Sequence, residues 1–232
     1  LYLIYHILKL RLKKVMRNDE FKWYFLTILI PVFFLLLQYS VSNLTLAWNL
    51  TGETLFNVIS VITTTGLYIG QDIPMSNAFW WLTFFLLMFL GSAAASAGGG
   101  INVFRQIILF RSTRRYFQSI IHPKAVYKVR INKTEIEESA VSRVLVFLLV
   151  FLLIYIIGLL MLTLSGYGFE DSLAISVAFL SNTGNAVRLL VHDLNVADLQ
   201  WFDKFTFALM MFFGRLQIIP ILLVLSPIFW KK

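Results

Sequence analysis

Residues 58–66 read VISVITTTG and residues 176–184 read SVAFLSNTG. Each is a short apolar run that closes on a polar turn and a glycine. At an offset of 118 residues Gly66 falls on Gly184, Thr65 on Thr183 and Thr63 on Ser181. Ile59, Val61 and Ile62 then match Val177, Phe179 and Leu180 in kind. A bilayer-spanning helix needs about 20 apolar residues. The apolar blocks Thr54–Ile62 and Leu173–Leu180 are too short to cross, so each reads as a half-helix that enters a membrane and stops inside it.

The flanking segments support that reading. Before the first turn, Phe21 to about Asn43 is long enough to span, with Trp23 and Tyr24 at one interface and Pro31 as a tolerated kink. After it, Phe79 to Phe110 spans back, interrupted by GSAAASAGGG over Gly91–Gly100. Arg111 to about Val141 is a polar linker. Arg143–Leu164 spans again, and Trp201–Trp230 returns. The chain therefore carries an internal repeat of helix, half-helix, Thr-Gly turn and helix. Each repeat makes two full crossings, so the two are parallel about an axis along the membrane normal.

Composition agrees. Of 232 residues 59% are hydrophobic and 14% charged, with a mean hydropathy of +0.78, against about 25% charged in soluble domains. This excludes a soluble enzyme and a disordered chain, and zero cysteines exclude disulfides and thiolate metal sites. The net charge of +8 is not spread as nucleic-acid binding needs. Six of twenty Lys and Arg lie between Lys9 and Lys22, nine between Arg105 and Arg143, two at the C-terminus and none from Trp23 to Phe104. Glu53, Asp72, Glu170, Asp171, Asp193, Asp198 and Asp203 gather where bases are missing. The positive-inside rule places the basic segments and both termini in the cytoplasm and the acidic ones outside. The partner this implies is a lipid bilayer, not nucleic acid. Residue 1 is Leu inside an apolar run, which reads as the cytoplasmic end of a helix that begins further upstream.

Irregular backbone at membrane depth survives only where protein buries it or it lines a water-filled path. Hydroxyls and carbonyls ending in a glycine can replace a cation's hydration shell, and the C-terminal end of a half-helix adds a partial negative charge. One such turn could simply pack. Two in register favour an ion filter. Arg215, near the middle of the last span, is costly there and calls for carbonyl partners, with those of the glycine-rich stretch nearest to hand. It pins two helices or raises a barrier to cations, and the two roles are compatible. Ser92 and Ser96 lack a nearby base, and His6, His122 and His192 show no ligand spacing, so neither nucleophilic nor metal chemistry is expected. The basic linker faces lipid headgroups or receives a cytosolic protein.

The segments VISVITTTGLYIGQD (58–72), GSAAASAGGGINVFRQ (91–106), IIHPKAVYKVRIN (120–132), SNTGNAV (181–187) and FFGRLQIIPILLVLSPIFWKK (212–232) resemble the Trk/Ktr/HKT superfamily of K⁺ transporters, closest to its TrkH branch. The resemblance implies an all-α integral membrane protein. Its fold would be two parallel helix–pore-helix–helix repeats, the third and fourth of a four-repeat K⁺-channel-like pore. The units would be 1–18, the end of a preceding helix; 19–110, the third repeat, with half-helix and filter at 54–67; 111–140, a cytoplasmic linker; and 141–232, the fourth, with half-helix and filter at 173–185.

Carried over, Thr63, Thr64, Thr65 and Gly66 form one K⁺ filter segment and Ser181, Asn182, Thr183 and Gly184 another. Gly91, Gly98, Gly99 and Gly100 belong to an intramembrane gating loop, faced by Arg215. The family loop is usually more polar than Ala93, Ala95 and Ala97 make it here. Asn102 stands where Lys is common, Asn185 where Pro is, and Gln217 where Glu is. No cofactor is implied, only transported K⁺. Implied partners are the N-terminal repeats of the same polypeptide, a second complete pore and a TrkA-like nucleotide-binding regulator near 111–140. The setting is a plasma membrane, bacterial inner membrane by resemblance. A Na⁺-permeable member and a non-conducting accessory subunit are the alternatives.

Overall fold

The apolar runs fold as helices, and the computed structural model describes residues 15–42, 47–69, 78–91, 93, 98–122, 127–132, 134–191 and 199–215. In chain order these form α1 (Asp19–Ser42), α2 (Ala47–Ile62), α3 (Ala78–Phe89) and α4 (Val103–Ile121). A two-stranded antiparallel hairpin follows, β1 (Arg130–Ile131) with β2 (Thr134–Glu135). Then come α5 (Glu138–Leu164), α6 (Phe169–Leu180), a 3₁₀ turn (Gly184–Leu189) and α7 (Trp201–Arg215). Residues 1–14 of the unit expected over 1–18, positions 92 and 94–97 of the glycine-rich stretch and the last helix from 216 to 230 lie outside the described residues.

By length and composition, two of the described helices could cross a bilayer, α1 over Asp19–Gln38 and α5 throughout. Helix α5 is apolar on all sides. It buries the stripe Val141, Val144, Phe147, Phe151, Tyr155, Gly158 and Leu162, and exposes Leu145, Leu149, Leu153, Ile156 and Leu160. A helix apolar all round is stable only inside a large core or in lipid. With 16 and 12 residues, α2 and α6 rise about 24 and 18 Å, less than the hydrocarbon core of roughly 30 Å.

Helix α2 packs between α1 and α3, and α5, α6 and α7 pack on one another; α3 against α6 and α4 against both α1 and α5 join the two groups. Their shared core includes Val58, Ile62, Phe84, Met88, Phe151, Ile175, Phe179 and Phe207. The rings of Phe179 and Phe207 stack with centroids 4.1 Å apart. A smaller core of Ile107, Ile108, Val129, Ile131, Val141 and Val144 sits at the basic end.

Four boundaries differ from the expected ones by four residues or more. Helix α2 starts at Ala47, seven residues before Thr54; α4 continues eleven residues beyond Phe110; α5 starts at Glu138 instead of Arg143; and α6 starts at Phe169 instead of Leu173. The added residues of α4 and α5 are mixed, with Arg, Ser, Thr, Gln and Glu breaking the apolar run. An apolar-run criterion stops at them, although Arg, Gln and Glu propagate a helix well. Helix α4 ends at Ile121, two residues before Pro123, as the steric bias ahead of proline requires.

The hairpin fastens the basic end. Asn132, at φ +49°, turns the chain between β1 and β2, a conformation Asn tolerates. The Asp19 backbone N–H donates to Asn132 Oδ1 at 2.8 Å, and the Asn132 N–H donates to Asp19 Oδ2 at 2.9 Å. Arg111 of α4 donates to the same Asp19 oxygen at 2.9 Å and to the Arg130 carbonyl. Arg115 reaches Glu138 at 3.1 Å. One carboxylate thus ties α1, α4 and the hairpin together. Asp19→Ala is expected to lower stability by about 1–2 kcal/mol, the lower part of the charge-assisted range because both side chains are partly exposed. Thermal melts in detergent would measure it, and Asp19→Asn, which keeps an acceptor oxygen, should lose less.

Candidate functional site

The two short helices end alike. At the end of α2 the Thr63 N–H donates to Ile59 at 2.8 Å, Thr64 to Val61 at 3.0 Å and Thr65 to Ser60 at 2.9 Å. At the end of α6 Ser181 donates to Val177 at 2.8 Å, Asn182 to Phe179 at 3.2 Å and Thr183 to Ala178 at 2.9 Å. This pattern is a Schellman cap, which needs a left-handed residue just past the cap. That residue is Thr64 at φ +54° in one turn and Asn182 at φ +57° in the other. Asn tolerates this conformation, but a β-branched Thr is an outlier there, at a cost of about 1–3 kcal/mol. Two residues on, Gly66 at φ +81° and Gly184 at φ +55° repeat the left-handed twist. Backbone conformation therefore matches position for position at the 118-residue offset.

Electrostatically the two ends also agree. Neither α2 nor α6 carries a base in its last turn, and α6 carries Glu170 and Asp171 in its first. Each helix C-terminus presents roughly half a negative charge that no side chain of that helix's last turn offsets. A cation is the natural complement.

The turns touch. Gly66 lies so close to the Thr183 carbonyl that a Cβ would collide with its oxygen and sit 3.1 Å from its carbon. The glycine-rich stretch abuts the second turn, since a Cβ on Gly99 would strike the Ser181 carbonyl oxygen and lie 3.2 Å from Asn182 Nδ2. Its neck is closed by backbone bonds from Gly91 to Ile101 (2.8 Å) and from Ile101 to Phe89 (3.0 Å). Gly100, at φ +73°, leaves room for Gly91 there, while Gly98 is partly exposed. From α7, Gly214 packs directly on the Leu180 carbonyl, and Asn182 Nδ2 donates to the Met211 carbonyl at 3.2 Å. Arg215 follows at the surface, with no hydrogen bond or ion pair among the described residues. The structure thus gathers both turns, the described glycines of the stretch and Gly214 into one region. Also among the described residues, no three His, Cys, Asp or Glu side chains converge on a possible metal position.

Residues 21–232 match the family model TrkH, described as cation transport protein. The chain belongs to the TrkH family. It thereby has the all-α fold of a membrane-transporter family, one described by cation transport and not an enzyme family. It is similar to the Trk system potassium uptake protein TrkH of Salmonella typhimurium, 26% identical over 180 residues, covering 78% of this chain and 37% of that protein. With TrkI of Halomonas elongata, also a Trk system potassium uptake protein, it shares 29% over 211 residues, 89% of this chain and 42% of the relative. The crystal structure of the potassium transporter TrkH from Vibrio parahaemolyticus superposes with a TM-score of 0.77 at 27% identity, over 94% of this chain and 46% of that one. The chain spans less than half the length of the relatives it matches.

Three supports in this TrkH-family chain escaped the sequence reading. Asn57 pairs with the Ile69 backbone in both directions, Nδ2 donating to the carbonyl at 2.8 Å and Oδ1 accepting from the N–H at 2.9 Å. Ser60 Oγ donates to the Leu67 carbonyl at 2.5 Å. Together they lay the segment after Gly66 back along α2. At the same offset α6 has Ile175 and Ala178, which cannot do this, and the chain after Gly184 coils into the 3₁₀ turn instead. The third is Asn102, which caps α4 by accepting from the Arg105 N–H at 3.0 Å. A polar residue inside an apolar run was the available signal for Asn57 and Ser60.

Proposed function

We propose that this chain supplies two of the four filter segments of a pore for K⁺ uptake. The observation that carries the proposal is the paired left-handed geometry of Thr64/Gly66 and Asn182/Gly184, in contact through Gly66 and Thr183. Thr63–Gly66 and Ser181–Gly184 then coordinate K⁺ largely through backbone carbonyls, which replace its hydration shell. The half-helix ends supply a favourable field. The loop Gly91–Gly100 obstructs the path on the helix side of the turns, and Arg215 adds a positive barrier there. The names of the relatives, two potassium uptake proteins and a potassium transporter, support the choice of ion.

Inward movement follows the membrane potential. A potential of 100 mV contributes about 2.3 kcal/mol per charge, which supports roughly fiftyfold accumulation. The basic segments lie on the cytoplasmic side of what we read as a bacterial inner membrane. Two repeats surround only half an axis, and open carbonyls facing lipid would cost several kcal/mol each. The conducting unit is therefore completed by two further repeats, from the rest of a longer polypeptide or from a second copy. In this reading complete pores pair, and the surface around 111–140 suits a cytosolic nucleotide-binding regulator.

Expression in cells lacking K⁺ uptake tests this. Growth at low K⁺ should be restored when residues 1–232 are joined to the upstream half of a relative. Restoration by residues 1–232 alone would select the two-copy pore. Failure of every combination, with protein present in the membrane, would overturn the K⁺-uptake reading.

A further inference from the structure

At the opposite end of the bundle from the hairpin, the first turn of α7 buries an acid that the pore reading does not use. Asp203 is 3% exposed, and its Oδ2 accepts from the Tyr167 hydroxyl at 3.2 Å. Its Oδ1 is buried without a hydrogen-bond partner among the described residues. Beside it lies a cavity of about 200 Å³, lined by Ser165, Gly166, Tyr167, Leu199, Gln200 and Asp203. Gly166, at φ +96°, turns the chain that forms its wall.

A buried carboxylate with one unpaired oxygen is costly unless something compensates it. A cation held beside it compensates that charge. We propose that Asp203 anchors a site for one K⁺-sized monovalent cation in this cavity, separate from the Thr-Gly turns. The donors within the lining are all oxygens: the carboxylate, the Ser165 and Tyr167 hydroxyls and the Gln200 amide carbonyl. Oxygen donors select hard cations, and one carboxylate balances a single positive charge. A few neutral oxygens beside solvent repay the partial dehydration of a weakly hydrated ion better than that of a tightly hydrated one. The volume holds the ion with several of its waters, at about 30 Å³ each. The Tyr167 phenol is pushed up by burial and by the neighbouring Asp203 carboxylate.

Crystals of the protein grown in rubidium chloride provide the test, because Rb⁺ replaces K⁺ and scatters anomalously. A peak is expected in the cavity within about 5 Å of Asp203. Asp203→Asn keeps the shape and the acceptor for Tyr167, so it should abolish this peak and leave any peak at the Thr-Gly turns intact. No peak beside Asp203 in the parent protein overturns the proposal and leaves the carboxylate the role of pinning Tyr167. Density at the turns is read independently in the same map, which separates failure of this site from failure of the pore reading. A peak that persists in Asp203→Asn would also overturn it.

Discussion

Gly66→Ser is expected to erase most of the discrimination between K⁺ and Na⁺, and Gly184→Ser to erase much less. Both glycines are left-handed, at φ +81° and +55°, so a side chain at either costs about 1–2 kcal/mol of backbone strain. Their surroundings differ. At Gly66 the new Cβ would meet the Thr183 carbonyl, a backbone group of the other turn that cannot swing aside. At Gly184 nothing lies within 4 Å. The chain already holds Thr64 and Asn182 at φ +54° and +57°, so a small polar residue at that dihedral is tolerable. A serine at 66 must therefore push the two turns apart and misplace carbonyls in both. Reversal potentials in K⁺/Na⁺ mixtures, measured on the complete pore, decide the matter. Equal shifts in the two variants would remove the steric asymmetry from the explanation. No shift in either would remove both turns from the filter.

The part of this arrangement legible in the sequence is the part that repeats. Thr65 and Gly66 announce themselves because Thr183 and Gly184 recur at the same spacing, each after an apolar run too short to span. What the turns touch was not legible. Gly66 against Thr183 and Gly99 against Ser181 are contacts between distant segments, fixed by how α3 packs on α6 and not by any local pattern. Asn57 and Ser60 were hidden for a different reason. On α2 they sit among Val58, Ile59 and Val61, and periodicity treats one amide and one hydroxyl as interruptions of a helix, not as a brace for the segment after it. The hairpin at 130–135 has two residues per strand, too few for an alternating pattern to register. Its partner, Asp19, lies 113 residues away. Arg111, read from sequence as the start of a linker, is the helical residue that joins them.

Gly99→Ala is the change expected to raise flux most. The added methyl would strike the Ser181 carbonyl, and Ser181 is fixed by its own bond to Val177 at 2.8 Å as the cap of α6. The neck of the loop cannot yield either, because the Gly91 N–H donates to the Ile101 carbonyl at 2.8 Å and the Ile101 N–H to the Phe89 carbonyl at 3.0 Å. The chain at Gly99 must move away from the turn. If the loop obstructs the path, that displacement lowers the barrier, and a reduction of about 1.4 kcal/mol would increase the rate tenfold. Arg215→Ala should act in the same direction by removing a positive charge, and the double variant should gain less than the product of the two, since neighbours sharing one function couple. Gly158→Ala serves as the control. Its Cβ would meet only the flexible thioether end of Met210, so flux should not change. Rubidium uptake into proteoliposomes, normalised to reconstituted protein, reads all four. A fall in uptake for Gly99→Ala at unchanged protein level, or strictly multiplicative effects with Arg215→Ala, would make the glycine-rich loop a strut for α6 and not a gate.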